Sequence, residues 1–127
     1  MARVLIVDQG SRIQVAEAAL TEAGYAVRSV APGLAGDIVD QLENVTVVAY
    51  LMGDAEDAAA NDEMLETVLL KVVDTGVRGF VYERPGAEAN GHVTHAQKTW
   101  HLSVAELDPI ADFAAAITTA ANDSIGI

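Results

Sequence analysis

Cysteine is absent from the chain, which removes thiol catalysis, cysteine-ligated zinc, iron–sulfur clusters and any disulfide framework. Basic residues are scarce: 7 Lys and Arg stand against 19 Asp and Glu, a formal charge of −12. A nucleic-acid backbone is held by clustered Lys and Arg, so no nucleic-acid partner is expected. Anionic membranes are disfavoured by the same charge. No apolar run approaches the ~20 residues needed to cross a bilayer, and the N-terminus carries no basic-then-apolar leader. The expected setting is the cytoplasm, with no membrane association. Aromatics make up only 5% of the residues and prolines number 3, so the core must come from other side chains.

Those side chains are small and aliphatic. The chain has 127 residues, 51% of them hydrophobic, and 23 are alanine. This length fits one domain, residues 1–127, able to bury a core without disulfides or a structural metal. No internal repeat, charge block or low-complexity linker divides it.

Ala2–Val7 is a β-branched apolar run without alternation, the texture of a strand covered on both faces. Ser11–Gly24 then takes helical period, with Ile13, Ala16, Leu20 and Ala23 on one face, Ser11 and Gln14 as a capping box and Gly24 as the stop. Tyr25–Val30 reads as a mixed second strand near an edge, ended by Pro32-Gly33. Asp37–Glu43 reads as a short helix, with Leu34, Ile38 and Leu42 inward. Val45–Met52 is the longest strand-like stretch and belongs at the centre. A helix follows the loop Gly53–Asp57 and ends at Thr75-Gly76, with Met64, Leu65, Val68, Leu69, Val72 and Val73 as its apolar stripe. Val77–Tyr82 is a fourth strand, His92–Thr99 a helix and Leu102–Leu107 a fifth strand. Asp108-Pro109 opens a last helix with Ile110, Phe113, Ala114 and Ile117 inward.

Five strand–helix units with right-handed crossovers predict the α/β class: a three-layer αβα sandwich, Rossmann-like or flavodoxin-like, on a five-stranded parallel sheet ordered 2-1-3-4-5. Ligands of such sheets sit beyond the carboxyl ends of strands 1 and 3, where the winding reverses. That places Asp8–Ile13, Gly53–Asp57 and Glu83–Gly86 around one crevice.

The run Val4-Leu5-Ile6-Val7, then Ala23-Gly24-Tyr25-Ala26-Val27-Arg28, Leu42–Gly53 and Thr75–Tyr82 resembles the NAD(P)-binding half of extended short-chain dehydrogenases, the nucleotide-sugar epimerase and dehydratase kind. The likeness spans roughly residues 2–83 and implies a truncated, degenerate relative. At the three glycine positions of the family's phosphate turn stand Asp8, Ser11 and Gln14, and Gly10 is the glycine that remains. A carboxylate there repels a pyrophosphate, and the added Cβ atoms obstruct it. The family's Tyr-x-x-x-Lys pair has no match, since Tyr25, Tyr50 and Tyr82 are followed at the fourth residue by Ser29, Asp54 and Gly86. Ala31-Pro32 supplies neither an acid for a ribose nor an arginine for a 2′-phosphate. No catalytic residue is therefore assigned.

The chain also resembles response-regulator receivers in size, topology and a Val7-Asp8 ending to strand 1. Strand 3 ends Leu51-Met52-Gly53 where a receiver carries its phosphoacceptor, with Asp54 too late in sequence. The Thr or Ser ending strand 4 and the Lys ending strand 5 are absent too.

Other clusters carry ordinary readings. Asp54, Glu56 and Asp57 match no fixed metal-binding register, and acids at a helix start are expected from its dipole. His92, His95 and His101 lack a zinc-enzyme spacing, so no metal site is expected. Trp100 is expected to anchor the last helix pair, or an interface. Ser11 with Arg12 at a helix start is the remaining anion site.

The expectation is a non-catalytic Rossmann-like protein that binds a ligand or a protein at the strand 1/strand 3 crevice, with Asp8, Gly10, Ser11, Arg12, Gly53 and Tyr82 around it. No cofactor is required, residual NAD(P) or nucleotide binding at a non-standard turn being one alternative and a pseudo-receiver signalling module another. A homodimer is also expected, because an edge strand such as Leu102–Leu107 needs cover.

Overall fold

The computed structural model describes residues 2–7, 13–30, 41–42, 44–51, 58–75, 77–83, 91–107 and 113–125. Its strands are β1 (Arg3–Val7), β2 (Ala26–Val30), β3 (Val47–Tyr50), β4 (Gly79–Glu83) and β5 (Ser103–Leu107). Its helices are α1 (Ile13–Glu22), α2 (Ala58–Asp74), α3 (Gly91–Thr99) and α4 (Phe113–Ser124). The five strands form one parallel sheet in the order β2-β1-β3-β4-β5, as the sequence pattern predicts. Of the short helix expected at Asp37–Glu43, residues 37–40 and 43 lie outside the described residues; Gln41 is in a turn and Leu42 in irregular backbone, and Leu42 is buried as expected.

The central strands have no solvent face. Val4, Leu5, Ile6 and Val7 are 0% exposed, which explains why β1 shows no alternation in sequence. Val4, Ile6, Val47, Ala49 and Val81 pack under α1 and α4, against Ala16, Leu20, Ile117, Ala120 and Ala121. Leu5, Val7, Val48, Tyr50, Phe80 and Tyr82 pack under α2 and α3, against Leu65, Val68, Leu69, Val72, Val93 and Ala96. Tyr50 and Phe80 stack there with ring centroids 6.2 Å apart.

The two layers are filled differently. Alanine dominates the α1/α4 side, and α4 approaches the sheet so closely that only glycine fits beneath it. A Cβ on Gly79 would stand 2.7 Å from the Ser124 Cβ and 2.9 Å from the Ser124 carbonyl oxygen. Ser124 is the buried polar residue of this core among those described, and its hydroxyl donates to the Ala121 carbonyl at 2.8 Å. Aromatic rings fill the opposite layer.

Helix α1 ends as its sequence suggests, with one correction. Gly24 takes φ of +99°; its N–H donates to the Thr21 carbonyl at 3.0 Å, and the Tyr25 N–H donates to the Leu20 carbonyl at 3.0 Å. This is a Schellman cap, with the accompanying apolar contact made by Tyr25 and Leu20 in one cluster. Ala23, expected inward, is exposed although its N–H still donates to the Ala19 carbonyl at 3.1 Å, and Tyr25, beyond the left-handed Gly24, is the residue that enters the core. The Tyr25 hydroxyl donates to Asn122 Oδ1 at 2.5 Å, tying the start of β2 to α4. Burial pushes the Tyr25 phenol above its ordinary value.

The strands begin and end within two or three residues of expectation. Around β3 the bonding continues past the ladder: Thr46 N–H donates to the Arg3 carbonyl and Leu51 N–H to the Val7 carbonyl, both at 2.8 Å. The opening of the last helix at Asp108-Pro109 lies outside the described residues.

Three outcomes follow for urea denaturation. Gly79→Ala should cost about 1–3 kcal/mol, because Ser124 must be displaced. Gly24→Ala should cost about 1 kcal/mol from backbone conformation alone, as nothing lies within 4 Å of the added carbon. Tyr25→Phe should cost about 1 kcal/mol at neutral pH. Because the folded-state pKa of Tyr25 lies above the unfolded value of about 10, its contribution persists below that pH and is lost as pH rises through the folded pKa. The stability gap between wild type and Tyr25→Phe should therefore narrow in strongly alkaline buffer.

Candidate functional site

Chain direction reverses between β1 and β3. From β1 the chain crosses by α1 to β2 on one side; from β3 it crosses by α2 to β4 on the other. Helix α1 lies over one face and α2 over the opposite one, so their connections to the sheet diverge at this point. Divergence of this kind opens a crevice at the carboxyl ends of the two strands. Val7 and Tyr50 are register neighbours at that edge, and Tyr82 is the next partner along.

The floor of the crevice is apolar. Val7, Tyr50 and Leu51 are each 0% exposed. Tyr82, a sequence-predicted site residue, is 2% exposed and belongs to the core beneath α2 and α3. Its position is at the crevice edge, while its ring packs inward. Asp8, Gly10, Ser11, Arg12 and Gly53 lie outside the described residues, as do Asp54, Glu56 and Asp57. The site is thus located by topology, and one of its expected side chains is placed.

At the opposite end of the sheet, the last turns of α3 carry His95 and lead into Trp100 and His101. The His95 ring meets the Trp100 indole edge-on, with centroids 4.9 Å apart and planes at 85°. Thr99 Oγ1 lies 3.3 Å from His95 Nδ1, a further restraint on that ring. His101 takes φ of +54°, turning the chain so that Leu102 N–H donates back to the Ala96 carbonyl at 3.2 Å. Among the described residues no group of three or more His, Asp or Glu is placed to hold a metal ion. Trp100 packs, half-buried, on the α2/α3 layer, so it anchors those helices and not the last one.

No protein-family profile matches the chain, and no curated protein is similar to it at a significant level. A solved structure that resembles it is that of a Burkholderia thailandensis protein designated a pilus assembly protein (CpaE). The TM-score is 0.65 at 16% sequence identity, with 100% of each chain covered. At that identity the likeness is one of fold: a five-stranded parallel α/β sheet of this size and order.

Proposed function

We propose that this chain is a non-catalytic Rossmann-like docking module, of the pseudo-receiver kind, that engages a protein partner at the β1/β3 crevice. The observation that carries the reading is the end of β3. Tyr50 and Leu51 are fully buried where phosphotransfer needs an exposed carboxylate beside an oxygen-rich cation site. Redox chemistry is disfavoured at the next position along the edge, because Asp8, Ser11 and Gln14 stand where a pyrophosphate needs bare backbone.

Two features support the receiver-like alternative over descent from epimerase-type dehydrogenases. The sheet order is 2-1-3-4-5, with the first and last described helices sharing one face. The structural likeness, over the whole of this chain, is to a protein designated for pilus assembly. Among the described residues no helix is long and apolar enough to cross a membrane. The crevice is then a protein-recognition surface, and the residues proposed to contribute to it are Asp8, Ser11, Arg12 and Gly53, which follow β1 and β3 in sequence.

Thermal-shift titration tests this directly. NAD, NADP, ATP and acetyl phosphate with Mg²⁺ should each leave the melting temperature unchanged. A ligand at 100 times its Kd would add about 2.7 kcal/mol, a rise of several degrees. A saturable rise with any of them would replace docking by nucleotide or phosphoryl chemistry. In affinity capture, Asp8→Arg should abolish retention of the partner held by the wild-type chain while leaving the melting temperature intact.

A further inference from the structure

Two adjoining cavities open around Trp100, at the end of the molecule away from the crevice. The first, about 170 Å³, is lined by Glu66, Leu69, Leu70, His95 and Trp100. The second, about 190 Å³, has Val77, Leu102 and the indole as apolar walls, and Arg78, His101 and Ser103 as polar ones. No carboxylate occurs among the described residues that line the second cavity.

The charge around this end differs from that of the whole chain. Lys71, Arg78 and Lys98 stand against Glu66 and Asp74 here, whereas the full sequence has 7 Lys and Arg against 19 Asp and Glu. Lys71, Arg78, His95, Lys98 and His101 are all exposed around this end, with Asp74 as the acid closing α2. The Arg78 N–H donates to the Thr46 carbonyl at 2.7 Å, so its backbone is fixed while the side chain stands at the surface. Beside it, Leu70 is 46% exposed, one of two large apolar side chains so exposed among the described residues.

Size narrows the occupant. Small-molecule sites usually measure about 300–1,000 Å³. A volume of about 190 Å³ is room for one side chain and too little for a nucleotide. Two such cavities sharing a tryptophan wall accept alternate side chains, i and i+2, of one extended segment, which lie on the same face about 6.6 Å apart. The cavity with Arg78, His101 and Ser103 suits a carboxylate; the cavity with Leu69 and Leu70 suits an aliphatic group. Tryptophan and arginine are also the residues most enriched among binding hot spots.

We propose that the two cavities flanking Trp100 form a docking site for an acidic peptide segment of a partner protein, one carboxylate side chain entering beside Arg78 and one aliphatic side chain entering beside Leu70. This rests on the reading of the chain as a docking module, and it adds a second surface with a stated partner chemistry.

The test uses the intact chain and a capped hexapeptide, Leu-Asp-Ser-Leu-Asp-Ser, with its Lys-for-Asp counterpart as control. Trp100 is the single tryptophan, so its emission reports on both cavities without a label. The acidic peptide should shift that emission saturably, and the basic one should not. Arg78→Glu should weaken binding about tenfold or more. Ser103→Asp should do the same from a second position, while Arg28→Glu on exposed β2 should leave it unchanged. Equal urea midpoints would confirm that the variants fold. No response to the acidic peptide, equal binding of the basic one, or wild-type affinity in Arg78→Glu would each overturn the proposal. So would sodium acetate acting as strongly as the peptide at equal carboxylate concentration, which would mark a small-anion pocket. A silent peptide with no nucleotide response removes this surface alone; a nucleotide response with a working peptide removes the crevice reading alone.

Discussion

The arrangement depends on a sheet whose inner strands have no wet side. Four consecutive residues of β1, Val4–Val7, lose all contact with solvent, so helices must cover both faces before any of that strand is stable. Parallel pairing supplies the crossovers that do this, and of the described helices two lie on each face. Because β1 is central, the chain must leave it in one direction and return beyond it in the other. The reversal between β1 and β3 is therefore a consequence of burial, and the crevice comes with it.

The two covering layers meet this demand by different means. One is built from alanine and a glycine, with α4 drawn down until Ser124 lies against Gly79. The other is built from Tyr50, Phe80 and Tyr82 beneath the long helix α2. The first gains from close approach and tolerates almost no added volume. The second gains from the large apolar area of its rings. Docking at either end of the molecule would thus act on a rigid frame.

The fold was legible because its signals are local and repeated. Unbroken β-branched runs marked buried strands, the Leu65/Val68/Leu69/Val72 stripe marked α2, and Gly24 marked the cap two residues beyond the end of α1. Ala23 misled, because helical period places it inward while Tyr25, after the left-handed Gly24, is the residue that is buried. The crevice was legible only as a place, since strand order locates it but its loop side chains, Asp8 to Arg12 and Gly53, obey no periodicity. The Trp100 cavities were not legible. Arg78 and Ser103 are adjacent only because β4 and β5 pair in the register Gly79 with Ser103, and no short-range pattern announces that. A clue did exist, namely the clustering of cationic residues and histidines between positions 67 and 105 of an otherwise acidic chain.

The segregation of rings has an optical consequence. Of the placed aromatic side chains, Tyr50, Phe80, Tyr82 and Trp100 all belong to the α2/α3 layer, and Tyr25 alone lies on the other. Among the described residues, ultraviolet signals of tertiary structure will follow chiefly the loosening of the ring-filled half, with Tyr25 as the reporter of the alanine-packed half. Spectroscopic melting curves would then agree with calorimetry only if both halves come apart together.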